Sequence, residues 1–178
     1  MRKLITTAIA TTIAIGLINM KATGNELPLK VGDVAPEFEA KDQNGNVWKL
    51  SDYIGKKNVL IYFYPKDNTP GCTKEACAFR DNIGNFKSAE VEVVGVSMDT
   101  IESHKRFISQ HNLNFTLLSD VEGKVVEKYG TRMPGKNMAR RVSFLINKEG
   151  KIVHITDNPD AQVHIDEIKK AINNLKAK

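Results

Sequence analysis

Six consecutive apolar or aromatic residues, Val59-Leu60-Ile61-Tyr62-Phe63-Tyr64, constrain the fold of this chain more than any other feature. A strand with one face in water alternates apolar and polar side chains. An unbroken run belongs to a strand covered on both faces. A second strand, Val91 to Met98 (VEVVGVSM), follows a segment from residue 72 to about residue 87 that carries Phe79, Ile83 and Phe86 at helical spacing. Thr100 to about His111 reads as a further helix. This strand, helix, strand, helix alternation requires parallel pairing with helices on the sheet faces.

Beyond it come a short strand at Phe115 to Leu118 and a short helix around Gly123 to Tyr129. Val142 to Ile146 and Lys151 to Thr156 are strands joined by Asn147-Lys148-Glu149-Gly150, the pattern of a hairpin. Ile165, Ile168, Ile172 and Leu175 fall at 3-4-3 spacing and give the last helix one apolar stripe. Upstream, Gln43-Asn44-Gly45-Asn46 is a turn signal, and Trp48 and Tyr53 beside it are expected to pack. The layout is one α/β domain over residues 25–178, a central mixed β-sheet flanked by helices with the order of a thioredoxin-like fold.

The composition agrees. The 178 residues are 41% hydrophobic and 26% charged, a globular balance. Two cysteines are too few for a disulfide-dense scaffold or a zinc ribbon. Of the net charge of +5, Arg2, Lys3 and Lys21 supply three, because residues 1–24 hold no acid. The remaining excess of two, with no Lys/Arg stripe among aromatics, excludes a nucleic-acid partner. That N-terminal segment is basic at Arg2-Lys3, uncharged from Leu4 to Met20, and ends in small residues at Ala22 and Gly24. This is the pattern of a signal peptide over residues 1–24, cleaved near Gly24, and it predicts an exported protein in the periplasm or another extracytoplasmic space, without stable membrane association after cleavage. An uncleaved membrane anchor is the alternative.

The chemistry gathers between Pro65 and Cys77, in Pro65-Lys66-Asp67-Asn68-Thr69-Pro70-Gly71-Cys72-Thr73-Lys74-Glu75-Ala76-Cys77. Cys72 lies just past the carboxyl end of a buried strand, in the first turn of the next helix, where sites form in α/β sheets. Unpaired backbone N–H groups and the positive helix end favour thiolate over thiol, which makes Cys72 the candidate nucleophile. Gly71 permits close backbone approach, Pro65 and Pro70 stiffen the loop, and the Thr69 hydroxyl suits a substrate with two bonded oxygens. Cys77 is five residues further along the helix, about 140° around it and roughly 8–9 Å away between Cα atoms. A disulfide needs about 7 Å or less, so the pair can bridge only if residues 72–77 unwind.

The run Pro65-x-x-x-Thr69-x-x-Cys72 resembles the active-site signature of peroxiredoxins, and Thr69-Pro70-Gly71-Cys72-Thr73 with Cys77 is similar to their bacterioferritin-comigratory, or Q-type, subgroup. The resemblance extends from about residue 28 to about residue 175. It implies a thiol peroxidase that reduces hydrogen peroxide and organic hydroperoxides with neither cofactor nor metal. Cys72 is then the peroxidatic cysteine that becomes a sulfenic acid, and Cys77 resolves it as an intramolecular disulfide reduced by a thioredoxin-like donor. Thr69 hydrogen-bonds thiolate and peroxide, and Pro65 shields the pocket. Arg141, two residues before Ser143-Phe144, stabilises the thiolate and the leaving oxygen, with Arg140 facing the other way. Members of this type are often monomers, and a monomer is expected.

Two other functions use the same residue types. A thiol-disulfide oxidoreductase needs Cys-x-x-Cys and a proline directly before the late strand; here the spacing is Cys-x₄-Cys, and Pro134 is far from Val142. An exported thioredoxin-like copper chaperone would use Cys72, Cys77 and His154 or His164, although residues five apart do not share a helix face. The four histidines (104, 111, 154 and 164) lack ligand spacing and are expected at the surface or half-buried.

Overall fold

The computed structural model describes residues 27–176. The signal segment expected over residues 1–24 lies outside them. The described chain runs β1 (Glu39–Asp42), β2 (Val47–Lys49), β3 (Asn58–Phe63), α1 (Pro70–Asp81), α2 (Ile83–Ser88), β4 (Val91–Ser97), α3 (Ile101–His111), β5 (Thr116–Ser119), α4 (Lys124–Lys128), β6 (Val142–Ile146), β7 (Ile152–Asp157) and α5 (Ala161–Lys176). The strands form a single mixed sheet in the order β2-β1-β5-β4-β3-β6-β7. β3 lies between parallel β4 and antiparallel β6, and β4 also pairs in parallel with β5.

β3 shows why its run is apolar throughout. Val59, Ile61 and Phe63 face one core with Trp48, Leu50, Val126, Tyr129 and Phe144. Leu60, Tyr62 and Tyr64 face another with Cys72, Ala76, Phe79, Phe107, Ile168 and Ile172. The site helix α1 and the last helix α5 therefore share one face of the sheet and pack on each other. Trp48 and Tyr53 stack at 5.0 Å between ring centroids, packing as expected.

Two features depart from the sequence expectation. The helix expected from residue 72 to about residue 87 is broken at Asn82, whose side-chain amide donates to the Ala78 carbonyl at 2.8 Å and competes with the helical ladder. The Gln43–Asn46 turn joins two strands that residue patterning does not reveal, because β1 (EAKD) is polar and β2 has three residues. Asp42 holds that turn by accepting the Asn44 and Asn46 backbone N–H groups, with Gly45 at φ +87°. No helix among the described residues is long and apolar enough to cross a membrane.

Candidate active site

β3 leaves the sheet at Tyr64, and the loop Pro65–Thr69 carries the chain to α1. Asp67 pins this loop from below. Its carboxylate accepts the Tyr64 hydroxyl at 2.7 Å and faces His104 Nδ1 at 2.9 Å, and its backbone N–H donates to Asp99 Oδ2 at 3.0 Å. Burial works to raise Asp67, but the bonds from His104 and Tyr64 outweigh it and hold the carboxyl below its ordinary value. Asn68 takes the left-handed conformation (φ 56°), which Asn tolerates, and places Thr69 as the N-cap of α1. Pro70 follows at the first helical position, where its missing N–H costs nothing. The ladder opens with Thr73 N–H on the Thr69 carbonyl, so the N–H groups of Gly71 and Cys72 precede it.

Cys72 is 2% exposed and Cys77 half-buried, and neither is in a disulfide. The guanidinium of Arg141 reaches the sulfur, with Nη2 at 3.4 Å from Cys72 Sγ. Arg140 points away and pairs with Asp157 at 3.1 Å. The geometry thus separates the two neighbouring arginines, as strand alternation requires. A Cβ on residue 71 would stand 3.1 Å from Arg141 Nη2, so glycine there leaves room for the guanidinium. Pro65 is half-buried at the start of the loop. The Thr69 hydroxyl donates its proton to the Lys66 carbonyl at 3.0 Å, not to Cys72, and leaves its lone pairs as acceptors.

Patterning missed Glu75. It is fully buried, one helical turn after Cys72, and its Oε2 pairs with Arg141 Nη1. Its other oxygen, Oε1, is buried without a hydrogen-bond partner. Burial pushes Glu75 up to about 7, against the lowering effect of Arg141. Burial acts to lower Arg141, but Glu75 and Cys72 outweigh it and raise it above its ordinary value, so it stays charged. Tyr62 lies beside this group, and burial raises it far enough to keep its hydroxyl protonated. The signal available in the sequence was an acid at the i+3 position from Cys72, on the same helix face.

Two histidines also depart from expectation. His104 and His164 are fully buried, not surface or half-buried. His164 has a polar partner at each ring nitrogen, Ser143 and the Asn158 carbonyl, whereas His104 has Asp67 at Nδ1 and its Nε2 is buried without a partner. No cluster of His, Cys, Asp or Glu able to hold a metal ion occurs among the described residues.

A buried cysteine at a helix N-terminus, faced by an arginine and lying at the carboxyl end of a central strand, defines a thiol-dependent enzyme on a thioredoxin-like fold. Residues 31–155 match the AhpC/TSA family, and the chain belongs to it. It is 45% identical over 145 residues to Peroxiredoxin Bcp of Escherichia coli K12, covering 78% of this chain and 92% of that one. Peroxiredoxin Q, chloroplastic, of Sedum lineare is 43% identical over 152 residues, covering 82% and 78%. The crystal structure of peroxidoxin BcpB from Mycobacterium tuberculosis superposes with a TM-score of 0.76 at 34% identity, covering 84% of this chain and 97% of the other.

The relatives correct the expected location. Peroxiredoxin Bcp of Bacillus subtilis is matched over 100% of its length by 85% of this chain, which leaves that relative no length for an export leader. The Q-type relatives are named as chloroplastic. An exported, periplasmic or extracytoplasmic setting is therefore contradicted. The basic, apolar N-terminal pattern, weakened by four threonines, is not sufficient to establish export.

Proposed function

We propose that Cys72 is the peroxidatic cysteine of this protein, Cys77 its resolving cysteine, and Arg141, Thr69 and Pro65 the side chains that build the pocket. The chain is a thiol peroxidase, as its Bcp and Q-type relatives are, acting on hydroperoxides with a thioredoxin-like reductant. The observation that carries the assignment is the Arg141 guanidinium 3.4 Å from the Cys72 sulfur at the start of α1.

The Cys72 thiolate attacks the distal oxygen of ROOH. The S–O bond forms, the O–O bond breaks, and the alkoxide RO⁻ leaves and takes a proton to give ROH. Charge moves from sulfur to the departing oxygen, so a fixed guanidinium and two free helix N–H groups serve both ends of the step. Thr69 supports an approaching peroxide through its acceptor lone pairs, and by rotating its proton away from Lys66. Cys77 then attacks the sulfenic sulfur, which forms the disulfide and releases water. Because Cys72 is buried and Cys77 faces another side of α1, this step requires the first turns of α1 to unwind. A donor dithiol reduces the disulfide by exchange. A monomer free of stable membrane association is part of this reading, and a light-scattering mass of one chain tests it.

Neither alternative is favoured. A copper chaperone using His164 would have to strip that ring of its bonds to Ser143 and Asn158. The test is peroxide consumption coupled to thioredoxin and its reductase. Wild type sustains turnover, Cys72→Ser abolishes it, and Cys77→Ser loses thioredoxin-supported turnover. Full turnover in Cys72→Ser overturns the assignment.

A further inference from the structure

Arg141 is held on three sides. Nη2 faces Cys72, Nη1 faces Glu75, and Nε donates to the Pro159 carbonyl at 3.1 Å. Pro159 lies in the short connection between β7 and α5, so one of the three contacts depends on how that connection is fixed. His164, in the first turn of α5, fixes it. Its Nε2 meets the Asn158 carbonyl at 2.7 Å, and its Nδ1 meets Ser143 Oγ at 2.8 Å. A carbonyl only accepts, so Nε2 carries the proton. Burial, helped by the nearby Arg141 charge, lowers His164 below its ordinary value and keeps the ring neutral. Nδ1 is then bare and accepts the Ser143 hydroxyl proton. Ser143 lies on β6, two residues after Arg141, which directly precedes the strand. Asn158 Oδ1 accepts the Asp160 N–H at 2.8 Å and tightens the same turn.

The same imidazole also borders the second contact. Glu75 Oε1, the oxygen without a hydrogen-bond partner, lies 3.7 Å from His164 Nδ1. One buried ring therefore touches the strand that Arg141 leads into, the turn that supplies its carbonyl, and the carboxylate paired with it.

We propose that His164 is a positioning residue of the peroxidase reaction: by tying Asn158–Pro159 to β6 beside Glu75, it fixes the groups that hold the Arg141 guanidinium against the Cys72 sulfur. His164 touches neither sulfur nor peroxide and acts only through Arg141. The inference rests on Arg141 serving the peroxide reaction as described above.

The test is the rate of Cys72 oxidation by hydrogen peroxide in rapid mixing, for His164→Leu, His164→Gln, Ser143→Ala, Arg141→Met and the His164→Leu/Arg141→Met double variant. Misplacing a catalytic group by about 1 Å costs up to about a hundredfold, so His164→Leu is expected to lose about tenfold or more. His164→Gln, which keeps an N–H for the Asn158 carbonyl, restores most of the rate. In the Arg141→Met background His164→Leu costs nothing further, a coupling that general loosening of the fold does not produce. A folded His164→Leu protein with the wild-type rate, or a loss undiminished without Arg141, overturns the proposal. If His164→Leu does not fold, Ser143→Ala decides, since a wild-type rate there overturns it equally. A wild-type rate in Arg141→Met instead refutes the underlying assignment of Arg141.

Discussion

Replacing Arg141 with Met keeps the apolar length of the side chain and removes the charge paired with Glu75. In the wild type, burial raises Glu75 from 4.5 to about 7 even with the guanidinium beside it. Because the folded value is the higher one, the stability linked to this group is fully present below pH 4.5 and is lost as pH rises to about 7. Above that, native and unfolded forms have both released the proton and the group adds no further slope. Without Arg141 the native carboxyl keeps its proton to higher pH, since the pairing was what lowered it. The variant therefore goes on losing stability where the wild type does not. Between about pH 6 and about pH 8 the penalty of the substitution grows about tenfold in the folding constant, or about 1.4 kcal/mol. Urea unfolding at the two pH values measures it, in a Cys72→Ser background so that the thiol does not titrate. A penalty equal at both pH values, or one that still grows when Glu75 is replaced by Gln, refutes the reasoning.

Hydrogen exchange of the oxidised protein is expected to show lost protection at the amides of residues 72–77, and strong protection there contradicts the unwinding of α1. Asp67→Asn removes the carboxylate charge and one of the two acceptor oxygens that meet Tyr64 and His104, and lowers stability at neutral pH by about 1–3 kcal/mol. Asp67 is held below its ordinary value of 3.8, so its contribution is present at neutral pH and fades as pH falls through that lowered value; denaturant curves in acid should show wild type and variant converging. Gly95→Ala places a Cβ 2.7 Å from Leu117 Cδ2 and the Tyr62 ring inside a closed core, and a loss of about 1–3 kcal/mol in unfolding free energy is expected.

The elements legible in the sequence are those whose pattern is imposed by burial. β3 carries an unbroken apolar run and β4 a valine-rich one because both are covered on both faces, and α5 carries a single stripe because one of its sides docks. β1 and β2 are short and half in solvent, so their residues report the turn between them and not the strands. At the site, the helix start marks Cys72 as the candidate nucleophile, while Arg141 was indicated by the family resemblance, with alternation only choosing it over Arg140. Glu75 and His164 escaped because a buried charged or imidazole side chain is recognisable only from its partners, and those partners lie 66 and 21 residues away in sequence. The N-terminal segment misled for the opposite reason: a basic start and an uncharged stretch are a local pattern that no tertiary constraint tests.

Whether Cys72 takes the peroxide oxygen and Cys77 closes the cycle is decided by rapid mixing of the reduced protein with hydrogen peroxide, quenched and read by intact mass. A fast loss of about 2 Da is expected in the wild type, a gain of about 16 Da in Cys77→Ser, and no fast change in Cys72→Ser. Oxidation of all three proteins at the slow rate of an ordinary free thiol would contradict both roles.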